Sequence, residues 1–186
     1  MLRVIVAPMF GGKSTALARH IERLERAKKR VVLFVPNTDV RYDAAGSSLG
    51  THSGLRRDAI GLDPSKSLLA TTFIHESAMT EADAICVDEG NFFVGLREFV
   101  DLMVDVAGKT VIVAGLALDS ERKPFGDMLS VMSVADVVEH LTAVCECGQD
   151  ALFTARRHEF DDIKTQTLIG GSEKFIALCR KCYHTY

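Results

Sequence analysis

Apolar residues fall into short runs along the first 115 residues, and longer stretches with a helical period separate those runs. Four runs are apolar at nearly every position, which is typical of buried parallel strands; they are residues 2–6, 31–35, 84–87 and 110–114. Apolar residues three or four apart predict one amphipathic helix around Leu17, Ile21 and Leu24, and a second from Leu96 to Ala107 that Gly108 ends. Strands that alternate with helices predict a parallel α/β sheet with helices on both faces.

The regular pattern stops in two places. Residues 37–54 contain many small residues and no period, which predicts a long flexible loop of a kind that is often functional. Beyond about residue 141 the chain consists of short segments around paired cysteines, with glycines as turns. We therefore predict a boundary between a first domain, residues 1–140, and a small second domain, residues 141–186.

Composition limits the class of protein. The chain has 186 residues, of which 47% are hydrophobic, and its formal net charge is −3. The absence of an apolar run of 18 residues excludes a membrane-spanning helix, and the acidic balance argues against a nucleic-acid or membrane partner. The N-terminal residues enter an apolar run without the basic segment of a signal peptide, so we expect a cytoplasmic protein.

The first candidate for chemistry is the glycine-containing loop after the first predicted strand. Its residues have the spacing of a phosphate-binding P-loop, although alanine stands at the first position; they are Ala7, Pro8, Met9, Phe10, Gly11, Gly12, Lys13 and Ser14. Backbone N–H groups and the N-terminus of the following helix would cradle phosphate oxygens. Lys13 would reach the β- and γ-phosphates, and Ser14 would bind Mg²⁺. The alternative is a glycine turn that leads into a helix, with Lys13 merely exposed.

Two acidic residues, Asp88 and Glu89, follow the third predicted strand. Because the carboxyl ends of parallel strands meet at one edge of a sheet, we expect both residues to face the phosphate loop. One carboxylate, Asp88, would share the Mg²⁺ with Ser14, and the other would act as a base or orient a nucleophile. The alternative is a helix cap made of ordinary surface acids.

Four of the five cysteines lie within the last 42 residues as two close pairs; they are Cys145, Cys147, Cys179 and Cys182. In a reducing compartment such a cluster indicates a metal site, and four thiolates are the ligand number of a structural zinc site. The first pair encloses a single residue, which is shorter than the common template, so buried or free cysteines stay open as the alternative. Cys86, inside a predicted strand, is interpreted as a small hydrophobic residue.

The chain resembles the type II, or cytosolic-type, thymidine kinase family in residues spread over nearly its whole length. The matching segments include Pro8-Met9-Phe10 before Gly-Gly-Lys-Ser, Asp39-Val40-Arg41-Tyr42, Asp88-Glu89-Gly90-Asn91-Phe92-Phe93, Arg122-Lys123-Pro124-Phe125-Gly126, Ile169-Gly170-Gly171 and Cys179-Arg180-Lys181-Cys182. The resemblance implies a P-loop NTPase fold of RecA-like type, followed by a small zinc-ribbon-like domain. It also implies a flexible lasso loop at about residues 44–54, which would close over the nucleoside with contacts from the zinc-ribbon-like domain. It also implies transfer of the γ-phosphoryl group of ATP to the 5′-hydroxyl of thymidine.

The same resemblance implies roles for individual residues. Glu89 would be the general base and Asp88 would hold Mg²⁺, while Asp39, Arg41 and Asn91 would bind ATP together with the phosphate loop. Thymidine would contact Met9, Phe92, Leu116, Ser120, Thr154, Gln166, Thr167, Leu168, Ile169, Gly170 and Phe175. Residues 166–170 would grip the nucleoside through their backbone. The family further implies a homotetramer that thymidine triphosphate inhibits.

Several positions depart from the family pattern, since Asn91 replaces a glutamine, Ser120 an aromatic residue and Phe175 a tyrosine. Departures near the expected nucleoside bear on base specificity more than on phosphoryl transfer. A kinase for another pyrimidine nucleoside, such as deoxyuridine, is therefore one alternative. A second alternative is a P-loop ATPase whose zinc module binds nucleic acid, for which Arg156, Arg157 and the basic first helix are the only support.

Overall fold

A computed structural model describes residues 1–37, 48–50, 56–160, 162 and 165–186 of the chain. The strands in these ranges are β1 (Leu2–Val6), β2 (Val31–Pro36), β3 (Ser48–Gly50), β4 (Arg56–Asp58), β5 (Ile60–Leu62), β6 (Ala84–Val87), β7 (Thr110–Gly115), β8 (Val137–His140), β9 (Ala143–Val144), β10 (Asp150–Ala151), β11 (Phe153–Arg156) and β12 (Phe175–Leu178). The α-helices are α1 (Lys13–Arg26), α2 (Leu68–Thr72), α3 (Glu76–Glu81), α4 (Leu96–Asp101), α5 (Met128–Met132) and α6 (Arg180–Thr185). Short 3₁₀ helices span Phe73–His75, Gly90–Phe92 and His158–Phe160, and a π-helical turn spans Leu102–Val106.

Six parallel strands form the central sheet, in the order β5-β2-β6-β7-β1-β8. Helices connect most pairs of consecutive sheet strands, because parallel pairing needs a crossover connection from the end of one strand to the start of the next. The strand before the phosphate loop, β1, is separated from the strand before the acidic pair, β6, by β7 alone. The predicted α/β class is confirmed, and this strand order brings both motifs to the same edge of the sheet.

Alternate strand residues supply two hydrophobic cores, one on each face of the sheet. On one face Val4 and Val6 belong to a cluster that includes Phe99 of α4 and Met128 of α5. On the other face the residue between them, Ile5, packs with residues of α1, among them Leu17 and Ile21. Full burial of each such side chain contributes roughly 1.5–3 kcal/mol of transfer free energy, so the two cores hold the helices against both faces as predicted.

The residues after β8 form a third, smaller hydrophobic core. β9 pairs with β10, and β11 pairs with β12, each pair antiparallel. The buried members of this core are mostly small: Ala143, Cys145, Ala151, Ala155, Ile176, Ala177, Leu178 and Cys179. A core of this composition buries little apolar surface, and segments of this size usually need a further constraint to be stable.

The structure adds elements that the apolar pattern does not predict. The edge strands β5 and β8 have no buried apolar run: the first has three residues, and the second alternates partly buried and exposed positions. Residues 48–50 pair with residues 56–58 in an antiparallel hairpin, so the prediction of an irregular loop is wrong for those three residues. The remainder of that predicted loop, apart from residue 37, lies outside the described residues.

The second predicted helix also differs from expectation in its last turns. It is α-helical only to Asp101 and continues as the π-helical turn, after which Gly108 adopts a φ of 65° and ends the element. The predicted apolar face is confirmed as far as Met103, since Leu96, Phe99, Val100 and Met103 are all buried. Beyond it Val104 is only partly buried and Ala107 is exposed, so the prediction is wrong for the last turn. Among the described residues, no helix has both the length and the apolar character that crossing a bilayer requires.

Candidate functional site

The candidate site lies at the carboxyl ends of three adjacent strands. Val6 of β1 is paired in register with Gly115 of β7, and Val87 of β6 with Val113 of the same strand. The phosphate loop after β1, Leu116 after β7 and the acidic pair after β6 therefore leave the sheet side by side. Open α/β sheets bind their ligands in this kind of crevice.

The phosphate loop has the close backbone approach that its glycines predict. A Cβ atom on Gly11 would lie 2.6 Å from the Cβ of Ala7 and 3.1 Å from the Pro8 carbonyl oxygen. Gly12 has a φ of 78° and forms the N-cap of α1. Lys13, the first helical residue, is buried, and its Nζ donates a hydrogen bond to the Pro8 carbonyl oxygen over 3.3 Å. Its ammonium group is thereby held inside the loop that would receive phosphate.

The acidic pair is buried and has an unusual backbone. Asp88 is fully buried, and its Oδ1 accepts a hydrogen bond of 2.9 Å from the backbone N–H of Glu89. Glu89 is only 7% exposed and has a φ of 51°, in the left-handed region that residues other than glycine rarely adopt. Such a conformation costs on the order of 1–3 kcal/mol, and buried examples concentrate at functional sites. The backbone thus turns sharply at the residue that was predicted as the base.

Asn91 joins the acidic turn to the end of β7. Its Oδ1 accepts a hydrogen bond of 2.8 Å from the backbone N–H of Leu116. A Cβ atom on Gly115 would lie 2.8 Å from that same oxygen, so the approach depends on glycine. Within the described part of the chain, the Asn91 Nδ2 is buried without a hydrogen-bond partner. Next to it, the rings of Phe92 and Phe125 meet edge to face at 5.4 Å.

The C-terminal residues reach the phosphate loop directly. The backbone N–H of Met9 donates a hydrogen bond of 2.9 Å to Oγ1 of Thr154, a buried residue of β11. The structure therefore brings the backbone of Met9 to the side chain of Thr154, two of the four residues predicted to line the base pocket. The role of these two residues, and of Phe92 and Leu116, in binding the base stays a prediction.

Residues 166–170 form a segment of exposed and half-buried residues, and hydrogen bonds hold the chain at and just after its end. Lys174 Nζ donates to the Ile169 carbonyl oxygen over 2.7 Å, and the Gly171 N–H donates to Glu173 Oε1 over 2.7 Å. The second hydrogen bond stabilises the ionised carboxylate and holds the pKa of Glu173 below its usual range. Phe175, buried at the start of β12, pairs across the strands with Arg156.

Ser120 contacts the C-terminal residues through its backbone. Its carbonyl oxygen accepts a hydrogen bond of 2.7 Å from the Tyr183 hydroxyl. It lines a cavity of about 360 Å³, whose other described lining residues are Glu121, Ala155, Arg156, His158, Tyr183 and Tyr186. A role for Ser120 in nucleoside binding stays a prediction.

The four C-terminal cysteines are gathered at one point, as predicted. Their sulfur atoms all lie within 4.8 Å of one another, and Cys147 Sγ is 3.7 Å from Cys179 Sγ. Four sulfurs around a tetrahedral Zn²⁺ at about 2.3 Å would be about 3.8 Å apart, so the donor set fits zinc. A sulfur–sulfur distance near 3.7 Å is much too long for a disulfide bond.

The thiols of this cluster share their protons unequally. Hydrogen bonds from the backbone of Cys147 and then of Cys179 lower the pKa of Cys145 to about 6. Side-chain hydrogen bonds with its neighbours, the largest with Cys147, raise the pKa of Cys182 to about 12. The Cys145 thiol thus ionises more readily than a free cysteine does, and the Cys182 thiol ionises less readily. This difference is expected because negative charge on one sulfur disfavours charge on its neighbours.

One contact between the two parts of the chain has no signal in the sequence pattern. Arg122 has a φ of 60°, and its guanidinium carbon lies 4.7 Å from the ring centre of Tyr183 and 5.5 Å from that of Phe153. Cation–π contacts of this kind stabilise by roughly 0.5–2 kcal/mol. The loop after β7 is therefore attached to the C-terminal residues, which only the folded structure reveals.

Some predicted residues lie outside the described part of the chain. These are Asp39, Arg41 and, apart from residues 48–50, the whole of the lasso loop at residues 44–54. Their roles stay predictions.

The phosphate loop lies between a parallel strand and a helix, and the buried carboxylates of Asp88 and Glu89 lie two strands away. This combination defines a P-loop nucleotide-binding protein. A family model described as thymidine kinase matches residues 1–183. A thymidine kinase of Pyrobaculum aerophilum is 40% identical over 193 residues, which cover 98% of each chain. The protein belongs to the thymidine kinase family.

Relatives from other kingdoms match over the same span. The cytosolic thymidine kinase of Cricetulus griseus is 37% identical, and the alignment covers 98% of this chain and 72% of that protein. Thymidine kinase a of Arabidopsis thaliana is 39% identical, with 99% of this chain and 75% of that protein covered. The family model, which spans residues 1–183, thus covers both the phosphate loop and the cysteine cluster.

Proposed function

We propose that the protein is an ATP-dependent thymidine kinase, which transfers the γ-phosphoryl group of ATP to the 5′-hydroxyl of thymidine and yields thymidine monophosphate and ADP. The observation that carries this proposal is the buried Asp88–Glu89 pair on the same sheet edge as the phosphate loop, in a chain of the thymidine kinase family. Phosphoryl transfer depends on positioning and charge stabilisation, and this edge offers both.

In the proposed reaction Glu89 is the general base. Its carboxylate takes the proton of the 5′-hydroxyl as that oxygen bonds to the γ-phosphorus, and the bond from phosphorus to the β–γ bridging oxygen breaks to release ADP. Burial of Glu89 limits competition from water for this proton transfer. The left-handed backbone at Glu89 turns the chain away from the line of β6, so Glu89 does not continue that strand.

The proposed phosphate site consists of the loop from Ala7 to Ser14 together with Asp39, Arg41 and Asn91. Lys13 already lies within the loop and would exchange its contact with the Pro8 carbonyl oxygen for phosphate oxygens. Mg²⁺, when bound, would neutralise charge on the phosphates, and the hydroxyl of Ser14 and the carboxylate of Asp88 are hard oxygen ligands of the kind it prefers.

The proposed nucleoside site lies between the phosphate loop and the C-terminal residues. Met9, Phe92, Leu116 and Thr154 would line the base pocket, and the backbone of residues 166–170 would hydrogen-bond the base. Phe175 would complete it on the side of the sugar, and Ser120 would also contact the nucleoside. The hydrogen bond between Met9 and Thr154 supports this arrangement because it ties both sides of the pocket together.

The four clustered cysteines would hold a structural Zn²⁺, since four thiolates leave no open coordination position for a substrate. On this proposal residues 141–186 are a separate zinc-stabilised module and residues 1–140 are the catalytic domain. A thiolate site of this kind suits a reducing, cytoplasmic location. We further propose a homotetramer and feedback inhibition by thymidine triphosphate, both from the family resemblance alone.

The first experiment measures the product directly. Purified protein with ATP and Mg²⁺ receives thymidine, deoxyuridine or single-stranded DNA, and chromatography follows ADP and the nucleoside monophosphates. We expect ADP and thymidine monophosphate in equal amounts with thymidine. A preference for deoxyuridine would change the assigned nucleoside. ADP release that depends on DNA and not on either nucleoside would overturn the kinase assignment.

A further inference from the structure

One buried carboxylate outside the acidic pair connects the catalytic domain to the proposed nucleoside-gripping segment. Asp119 lies in the loop after β7 and is 8% exposed. Its Oδ2 accepts a hydrogen bond of 2.7 Å from Nε2 of Gln166, which is 47 residues away in the chain. The same Nε2 donates to the Pro124 carbonyl oxygen over 3.0 Å.

The carboxylate of Asp119 is fixed from its other side as well. Its Oδ1 accepts hydrogen bonds of 2.9 Å from the backbone N–H groups of Glu121 and Lys123. The Asp119 N–H in turn donates to the Lys123 carbonyl oxygen over 2.9 Å. Three donors therefore hold this side chain, and a carboxylate with such donors is preorganised to orient the third of them, Gln166.

Contacts hold the loop that carries Asp119 at its start and in its middle. At its start, the Leu116 N–H is bound by Asn91, two residues after Glu89. In its middle, Arg122 lies against the rings of Phe153 and Tyr183, and the Tyr183 hydroxyl donates to Ser120. The position of Asp119 is thus set by the acidic turn on one side and by the C-terminal module on the other.

Gln166 itself is the first residue of the gripping segment. Two other hydrogen bonds described for this segment stay within the C-terminal residues: the Thr167 N–H donates to Thr165 Oγ1, and Lys174 Nζ donates to the Ile169 carbonyl oxygen. The bonds of Gln166, by contrast, cross to the loop after β7. These two bonds of Gln166 therefore fix the position of residues 166–170 relative to the phosphate loop.

We propose that Asp119 and Gln166 form a positioning pair that holds residues 166–170 in the orientation thymidine binding requires. This inference rests on the proposed function, because it assumes that the segment grips the nucleoside. Neither side chain is assigned a contact with the reacting atoms. Loss of the pair should therefore weaken binding of the nucleoside and leave binding of ATP at the phosphate loop unchanged.

The test replaces the amide donor with a carboxylate of the same shape, Gln166→Glu, which sets two carboxylates against each other. We expect the KM for thymidine to rise about tenfold, the effect of one lost charge-assisted hydrogen bond, while the KM for ATP stays within roughly twofold. The matched control is Gln149→Glu, an exposed glutamine of the same module, which should behave as wild type. Zinc content and thermal midpoint establish that each variant is folded.

A reversed pair separates positioning from a general effect of charge. In the double variant Asp119→Asn with Gln166→Glu, the asparagine amide can donate to the new carboxylate, so the KM for thymidine should fall back toward wild type. An unchanged KM for thymidine in Gln166→Glu, or an equal rise for ATP, would overturn the positioning pair. The absence of thymidine phosphorylation by the wild type would instead overturn the proposed function, before any variant is compared.

Discussion

At the scale of single residues, the site depends on one backbone conformation. Glu89 is a buried glutamate with a left-handed backbone, and its own N–H is bound by the preceding Asp88. A glycine would adopt that conformation without strain, but it would carry no carboxylate. The presence of a glutamate at a strained and buried position is the residue-level observation that most favours a chemical role for it.

The substitution Glu89→Gln tests that role. It keeps the shape and removes the proton acceptor, so we expect kcat to fall roughly 10²–10⁴-fold, the range of general base catalysis, while ATP still binds. Steady-state kinetics and a nucleotide-binding titration measure the two quantities. The control Glu22→Gln alters an exposed helix pair with Arg26 and should leave both unchanged. A kcat near that of wild type in Glu89→Gln would mean that another group accepts the proton.

At the scale of elements, the phosphate loop has no room for a side chain at Gly11. The substitution Gly11→Ala would force its Cβ against Ala7 and the Pro8 carbonyl oxygen. Overpacking of this kind costs about 1–3 kcal/mol, which would weaken ATP binding roughly 5- to 150-fold if the loop bears the strain. The measurement is a calorimetric titration with ATP and Mg²⁺.

A second glycine variant separates loop geometry from backbone strain in general. Gly108 has a φ of 65° and open space around its Cα, far along the chain from the loop. Gly108→Ala should therefore lower the thermal midpoint and leave ATP affinity as in wild type. If Gly11→Ala binds ATP as tightly as wild type does, the loop does not approach phosphate as its geometry indicates.

The elements that the sequence predicts are those with a local signal. The runs of β1, β2, β6 and β7 are apolar on both faces because helices cover both sides of the sheet. The strand–loop–helix order of the P-loop can also be recognised from the sequence alone. The edge strand β8 is only half covered, so its apolar signal is weak. The contact of Asp119 with Gln166 has no local signal, because 47 residues separate its partners.

At the scale of the whole molecule, the C-terminal module depends on residues from both of its ends. Cys145 and Cys147 precede β10, whereas Cys179 and Cys182 follow β12, and all four sulfurs meet at one point. The small apolar core between them offers little independent stability. A bound metal would thus fix the ends of the module and, with them, the segment at 166–170.

The substitution Cys182→Ser tests this dependence. We expect loss of bound zinc, faster amide hydrogen exchange over residues 141–186 and a higher KM for thymidine, because metal binding and folding are coupled in such modules. Elemental analysis and hydrogen exchange with mass spectrometry measure the first two effects. Cys86→Ala, at a fully buried position in β6, is the control that should retain zinc. Full zinc content in Cys182→Ser would exclude Cys182 as a ligand.

The strand order has a consequence for the time course of folding during synthesis. β1 is the first of the six sheet strands to leave the ribosome, yet both of its neighbours, β7 and β8, are made last. The strand that leads into the phosphate loop therefore has no paired neighbour until β7 is complete at residue 115, and its second neighbour is complete only at residue 140. Non-local pairing of this kind slows folding and leaves apolar strands open to aggregation in the interval. Of the six strands, β1 thus waits longest for its partners during synthesis, whereas the partners of β2 are complete at residue 87.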